Sequence, residues 1–197
     1  MDTPSPKLVI GFSGKRKSGK DYITSKLVET LGERCTVITL SKPIKSHFAA
    51  LYSMNLTEMM SSSAYKEQRR QEMVKWGEDQ RAQNPFVFCE SIAKEAEGSG
   101  KEIWIVSDLR RRTDVKYFEK YCQDNGIQLK LIRVNCDEET RGERGWVFTE
   151  GIDDAETECD LDPFNSWDVV VDNSKNDNLE LQFKELCDSI HSVVGAQ

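Results

Sequence analysis

Apolar residues gather in five short runs, Lys7–Phe12, Cys35–Leu40, Glu102–Ser107, Gln128–Asn135 and Trp167–Asp172. Val, Ile, Leu and aromatic side chains crowd these runs without strict alternation, as in strands covered on both faces. Between them lie amphipathic stretches. The clearest is the last, where Leu179, Phe183, Leu186, Ile190 and Val193 step by four, three, four and three, the period of a helix with one apolar face. Strands alternating with helices predict a doubly wound, parallel, five-stranded α/β sheet. Residues 1–6 read as a disordered tail and residues 7–197 as a single domain, as the length implies.

Two segments interrupt the alternation. Residues 41–100 are mostly helical in pattern and are expected to carry a substrate-binding insertion. Residues 136–166 are polar, glycine-containing and strongly charged, and are expected to form a lid and an acidic loop. Long excursions at strand ends are where α/β proteins carry such segments.

Charge changes the picture next. The chain has 27 basic and 34 acidic residues, a net charge of -7, which argues against general nucleic-acid binding. From Glu150 to Glu180 there are eleven acidic residues and one basic one, Lys175. The cations instead cluster at Lys15–Lys20, Lys66–Arg70, Arg110–Arg112 and Arg141–Arg144, a distribution suited to a local anionic ligand. Six cysteines without a C-x-x-C pair, and only His47 and His191 beside them, give no zinc spacing and read as reduced cysteines of a cytosolic protein. No signal peptide and no apolar run of about 18 residues is visible.

Phe12–Asp21 reads FSGKRKSGKD. Gly14-x-x-x-x-Gly19-Lys20 has the P-loop spacing, after an apolar strand and before a helical pattern. Glycines let the backbone curl so that amides point at phosphate oxygens, and the helix N-terminus adds partial positive charge. Lys20 then reaches the transferring phosphate. Asp21 stands where Ser or Thr usually helps hold Mg²⁺, and a carboxylate is also a hard oxygen ligand for that ion. Asp108 ends the third strand, positioned to hold Mg²⁺ directly or through water, or to cap the next helix. Arg110 and Arg111 follow at the sheet edge where open α/β folds bind ligands; the alternative is a solvated face. Arg141 and Arg144 lie three apart near Gly142 and Gly145, as in a lid bringing arginines to phosphates or an exposed helix. Lys66, Arg69, Lys75 and Arg81 accompany Tyr65, Glu67 and Trp76 in the first insertion, as an acceptor surface or a solvent-facing one. So many cations favour an acceptor that is itself a phosphate ester. Such an acceptor is mostly dianionic at neutral pH, so it needs neutralisation rather than a general base, and arginines suit that task.

Further stretches extend the pattern: Tyr65-Lys66-Glu67, Trp76-Gly77-Glu78 with Arg81, Trp104–Arg111, Arg144-Gly145-Trp146-Val147-Phe148-Thr149, and Gly151-x-Asp153-Asp154-Ala155-Glu156-x-Glu158-Cys159-x-Leu161-Asp162. Together with the P-loop, they resemble the animal-type phosphomevalonate kinases of the nucleoside-monophosphate-kinase-like P-loop group, over nearly the whole chain. The aspartate after the P-loop lysine is part of that family's pattern. The resemblance implies ATP- and Mg²⁺-dependent phosphorylation of 5-phosphomevalonate to 5-diphosphomevalonate in isoprenoid synthesis, by a cytosolic monomer. It implies that Lys15, Arg16, Lys17, Ser18, Gly19, Lys20 and Asp21 bind ATP, with Lys20 and Asp21 closest to the chemistry and Arg16 and Lys17 in support. Arg81, Arg110 and Arg111, with Lys66, are implied to face phosphomevalonate. Arg141 and Arg144 belong to the lid, on the nucleotide. Ser174 and Gln182 are implied beside the nucleotide, and Asn173 beside the substrate. Ser174 stands where vertebrate members carry His, and Asp160 where a Gly is expected. The competing readings are a nucleoside monophosphate kinase, which shares these features, and a non-enzymatic P-loop binding module. A regulatory GTPase fits poorly, because Asn173-Ser174-Lys175-Asn176-Asp177 has a serine intruding in the guanine motif.

Overall fold

In the computed structural model the described residues are 6–57, 69–175 and 178–195. Most of the expected tail, and Lys66 with Tyr65 and Glu67, lie outside them; Pro6, assigned to the tail, is buried. The chain runs β1 (Leu8–Gly14), α1 (Lys20–Leu31), β2 (Cys35–Ile38), α2 (Lys42–Leu51), α3 (Arg70–Gln83), α4 (Val87–Glu97), β3 (Ile103–Val106), α5 (Arg112–Asn125), β4 (Gln128–Asn135), α6 (Glu138–Glu143), α7 (Glu156–Cys159), β5 (Val169–Asp172) and α8 (Leu179–Val194). The strands form one parallel sheet in the order β2-β3-β1-β4-β5.

Each face of the sheet has its own apolar layer. Leu8, Ile10 and Phe12 point to one side, against Ile23 and Leu27 of α1 and Phe183, Leu186 and Ile190 of α8. Val9 points to the other, among Phe88 and Ile92 of α4 and Val115 and Phe118 of α5. This two-sided burial is why the runs did not alternate in polarity. Gly11 falls on the second face, where a Cβ would sit 2.5 Å from a methyl of Leu109. A smaller cluster of Phe48, Ala49 and Met73 joins α2 to α3. In α8 the apolar stripe gains Cys187, and Val194 is more deeply buried than Val193.

Strand ends differ from the expected runs for local reasons. β1 continues past Phe12, with Ser13 opposite Arg133 and Gly14 opposite Val134, so the first residues of the phosphate motif are strand. β2 stops at Ile38; two residues on, the Leu40 amide donates to the Asp108 carboxylate at 2.6 Å. Cys35, Cys89, Cys122 and Cys187 are buried and all six cysteines are free; burial alone pushes the Cys122 thiol up to about 12. Among the described residues, no helix is long and apolar enough to cross a membrane.

Candidate active site

The central strand β1 delivers the chain to the loop Lys15–Gly19. Two residues there occupy the left-handed region: Lys17 at φ 64° and Gly19 at φ 85°. Such alternation turns successive amides inward to form an anion-binding nest, and a non-glycine residue held in that region is a functional signal. Gly19 is required twice over. Besides its φ, a Cβ there would lie 2.0 Å from Asn173 Nδ2. The Ser18 hydroxyl is buried without a partner, a polar atom turned into the loop that a phosphate oxygen would satisfy. These features fit a polyphosphate.

Lys20 opens α1 and is buried. Its ammonium donates to Asp21 Oδ1 at 2.6 Å and to the Ser107 carbonyl at 2.5 Å, so it spans from the loop to the end of β3. The Asp21 side chain is solvent-accessible. Partial enclosure opposes its ionisation, but the charge and hydrogen bond of Lys20, and then the charges of Arg110 and Lys45, hold its carboxyl below the usual range. Lys45 of α2 was not singled out from sequence. Asp108 is buried, and each of its oxygens accepts a backbone amide, from Leu40 at 2.6 Å and Ser41 at 3.1 Å. It therefore caps the turn after β2 rather than its own following helix. Among the described residues, no three His, Cys, Asp or Glu side chains are grouped to hold a metal. A divalent ion at the ionised, accessible Asp21 would thus take its remaining ligands from phosphates and water, the habit of Mg²⁺.

Arg141 and Arg144 converge on the loop from α6 and its C-terminal end. Arg141 Nε donates to the Arg16 carbonyl at 3.0 Å, and its guanidinium lies 3.9 Å from the Trp146 ring centre. Arg144 follows the helix rather than lying within it; it donates to the Ser18 carbonyl at 3.1 Å and the Asn173 carbonyl at 2.8 Å. Asn173 Nδ2 also donates to Ser18, at 2.9 Å. Asn173, read from sequence as a substrate residue, thus packs against the phosphate loop. Ser174 accepts the Asp137 amide at 3.0 Å, and Gln182 closes the end of β5 through both main-chain groups of Asp172.

Three further arginines, Arg81, Arg110 and Arg111, are held by carboxylates. Arg81 pairs with Asp114 at 2.6 Å. Arg110 pairs with Glu158, and Arg111 with Glu78 and Glu156; Arg111 Nε is buried without a partner. The acidic residues after Glu150 are the other half of this network, and sequence reasoning gave them no partners. Asp153 grips Arg16 with both oxygens, at 3.0 and 2.5 Å, and also accepts Trp146 Nε1 at 2.9 Å. Its burial opposes ionisation, yet these donors and the Thr149 amide hold its carboxyl below the usual range. Lys15 meets Asp162 at 2.6 Å, and Arg112 meets Asp160 at 2.9 Å. The acidic strap lies over the basic loop and the arginines together, with carboxylates where incoming phosphates would find cations.

Residues 12–124 match a family model described as phosphomevalonate kinase. A phosphomevalonate kinase of Drosophila melanogaster is 38% identical over 189 residues, covering 89% of this chain and 98% of that protein. Among solved structures, the APS kinase of Mycobacterium tuberculosis in complex with AMPPNP and APS superposes with a TM-score of 0.51 at 14% identity, covering 95% of this chain and 99% of that one. A gluconokinase of Sinorhizobium meliloti gives 0.51 at 14%, covering 96% and 98%. At such identity the likeness to the solved structures is one of fold.

Proposed function

The chain belongs to the phosphomevalonate kinase family, and from that premise we propose that it transfers the γ-phosphoryl group of ATP to 5-phosphomevalonate, giving 5-diphosphomevalonate and ADP. The observation that carries the reading is the position of Lys20. Its buried ammonium lies between the left-handed turns of the phosphate loop and the end of β3, which leads into Arg110 and Arg111. One anion is cradled by main chain, the other is met by guanidinium groups, and Lys20 is at their boundary.

Loop amides and Ser18 bind the ATP phosphates, and Arg16, Lys17, Arg141 and Arg144 hold the loop and its ligand. Arg81, Arg110 and Arg111 bind the acceptor phosphate, bringing one of its oxygens towards the γ-phosphorus. A bond forms between that oxygen and phosphorus, and the bond to the β-bridging oxygen breaks. The acceptor oxygen carries no proton at neutral pH, so no residue is needed as a general base. Lys20 stabilises charge on the transferring group, the main source of catalysis in phosphoryl transfer. Mg²⁺ would be held by Asp21 together with ATP phosphates, with Asp108 contributing through water, and would neutralise the polyphosphate. Residues 136–166 act as a lid, with the acidic strap giving up Arg110 and Arg111 to the substrate. Six free cysteines suit a cytosolic enzyme.

The test is turnover of ATP by the purified chain with 5-phosphomevalonate, AMP, CMP or UMP as acceptor. Consumption of 5-phosphomevalonate alone is the expected result. Preferred turnover of a nucleoside monophosphate would overturn the assignment.

A further inference from the structure

We infer that Asp114 is the positioning residue of the acceptor site, the carboxylate that sets Arg81 and the Arg110–Arg111 turn relative to each other. The inference rests on the reading that these arginines bind the acceptor phosphate. Asp114 sits in the first turn of α5, and its side chain is fully buried. Its Oδ2 accepts the backbone amides of Arg110 at 3.0 Å and Arg111 at 2.9 Å. Its Oδ1 accepts Arg81 Nη1 at 2.6 Å, with the Cys89 thiol 3.7 Å away. One planar group thus touches both segments that supply acceptor arginines, α3 in the helical insertion and the turn after β3.

A capping role accounts for only half of this arrangement. A carboxylate in the first turn that reaches back to the N-cap amide is an ordinary helix start, and Oδ2 alone performs it. Oδ1 accepts a guanidinium from another element, in a side chain closed off from bulk solvent. The buried carboxylate requires a cation, and Arg81, itself little exposed, supplies it. The Arg81 guanidinium also lies 5.1 Å from the centre of the Phe88 ring, so ring and carboxylate together restrict it. Arginine bound on a planar partner loses little further freedom when it takes a second one. Asp114 therefore holds Arg81 aimed before the substrate arrives, and keeps the turn carrying Arg110 and Arg111 in register with it.

The experiment compares Asp114→Asn, Arg81→Ala and the double variant by steady-state kinetics with both substrates varied. Asn retains an oxygen for the two amides but no charge for Arg81. Asp114→Asn is expected to raise KM for 5-phosphomevalonate about tenfold or more, the effect of losing a hydrogen bond to a charged group, with KM for ATP unchanged. In the Arg81→Ala background the same substitution should add little, because contacting residues that act through one another are not additive. An Asp114→Asn protein with normal acceptor KM, or one whose defect adds in full to that of Arg81→Ala, overturns the positioning role. If Arg81→Ala, Arg110→Ala and Arg111→Ala all leave acceptor KM unchanged, the acceptor-site reading fails and this inference with it. If those three are impaired and Asp114→Asn is not, the inference alone fails. Should Asp114→Asn not fold, Arg81→Ala carries the test. Guanidinium ion refilling the place beside Asp114 should restore acceptor turnover, and no recovery in the folded variant overturns the role.

Discussion

At the proposed nucleotide end of the site, the anion-binding surface is main chain. Lys17 and Gly19 turn amides into the loop through left-handed backbone, and Gly19 has no room for a side chain beside Asn173. At the proposed acceptor end, the surface is side chain. Arg81 comes from α3 and Arg110 and Arg111 from the turn after β3, and they are held by carboxylates, Asp114, Glu158 and Glu78 with Glu156 respectively. The first kind of site is fixed when the strand–loop–helix unit folds. The second depends on long side chains whose directions are set by residues far away in sequence. The nucleotide end should therefore be damaged by adding atoms, and the acceptor end by removing charges.

Lys20 lies where the two ends meet, and its loss should have the largest effect. Lys20→Met is expected to lower kcat by about 10²–10³-fold, the usual consequence of deleting one preorganised group that stabilises transition-state charge. ATP affinity should fall much less, since the loop amides remain. A variant with normal kcat and weakened ATP binding would place Lys20 in ground-state binding only. Gly19→Ala comes next and tests the main-chain end. The left-handed conformation costs an L-residue about 1–2 kcal/mol, and the new methyl must also displace Asn173. Titration with ATP should show affinity reduced by about tenfold or more, with acceptor KM little changed. Equal damage to both substrates would mean that the two ends are not separately built.

Arg110→Ala and Arg111→Ala test the opposite end. Each should weaken the acceptor's transition-state binding by about 1.5–3 kcal/mol, read from kcat/KM for 5-phosphomevalonate, with KM for ATP nearly unchanged. The two should differ in stability. Arg110 is the more exposed of the pair, at 29% against 7% for Arg111. Removing Arg111 also strips Glu78 and Glu156 of their partner, so Arg111→Ala should melt at the lower temperature.

The same contrast governs what was legible in the sequence. Five strands, the parallel sheet and the phosphate loop were readable because each is specified within a few residues: a run of apolar side chains covered on both faces, or two glycines and a lysine at fixed spacing. The arginines after β3 were readable as a cluster. Their partners were not, because Arg81 and Asp114, or Arg110 and Glu158, meet only once the sheet order has placed α3, α5 and the acidic strap around one point. The acidic excess after Glu150 was visible as composition, but nothing local tells a solvated loop from one whose carboxylates face lysines and arginines. Asp108 illustrates the limit from the other side. Its place at a strand end was clear, yet its bonds to Leu40 and Ser41 arise from the turn that follows the neighbouring strand β2.

The smallest expected effect concerns Asp153, which ties the strap to the phosphate loop through Arg16. Its side chain is 5% exposed, and Arg16, Trp146 and Thr149 outweigh the cost of burial to hold its carboxyl below the usual range. A group with a depressed folded pKa leaves the native state with fewer bound protons than the unfolded chain as the pH falls. Its contribution is therefore complete above the unfolded value of about 3.9 and is lost as pH drops through the lower folded value. Asp153→Asn should thus cost on the order of 1 kcal/mol at neutral pH, seen as a lower Tm. The gap from wild type should narrow as pH is lowered below about 4. Asp160, held below the usual range by Arg112 in spite of its burial, titrates over the same window, so the variant keeps some acid sensitivity of its own. A gap of constant size across that range would assign the effect to the hydrogen bonds of Trp146 and Thr149 rather than to the charge facing Arg16. The strap would then be attached by shape, and raising the salt concentration should leave it in place. If the charge is responsible, salt should loosen the strap and make the segment around Gly151 more accessible to protease in the wild type than in the variant, relative to each protein at low salt.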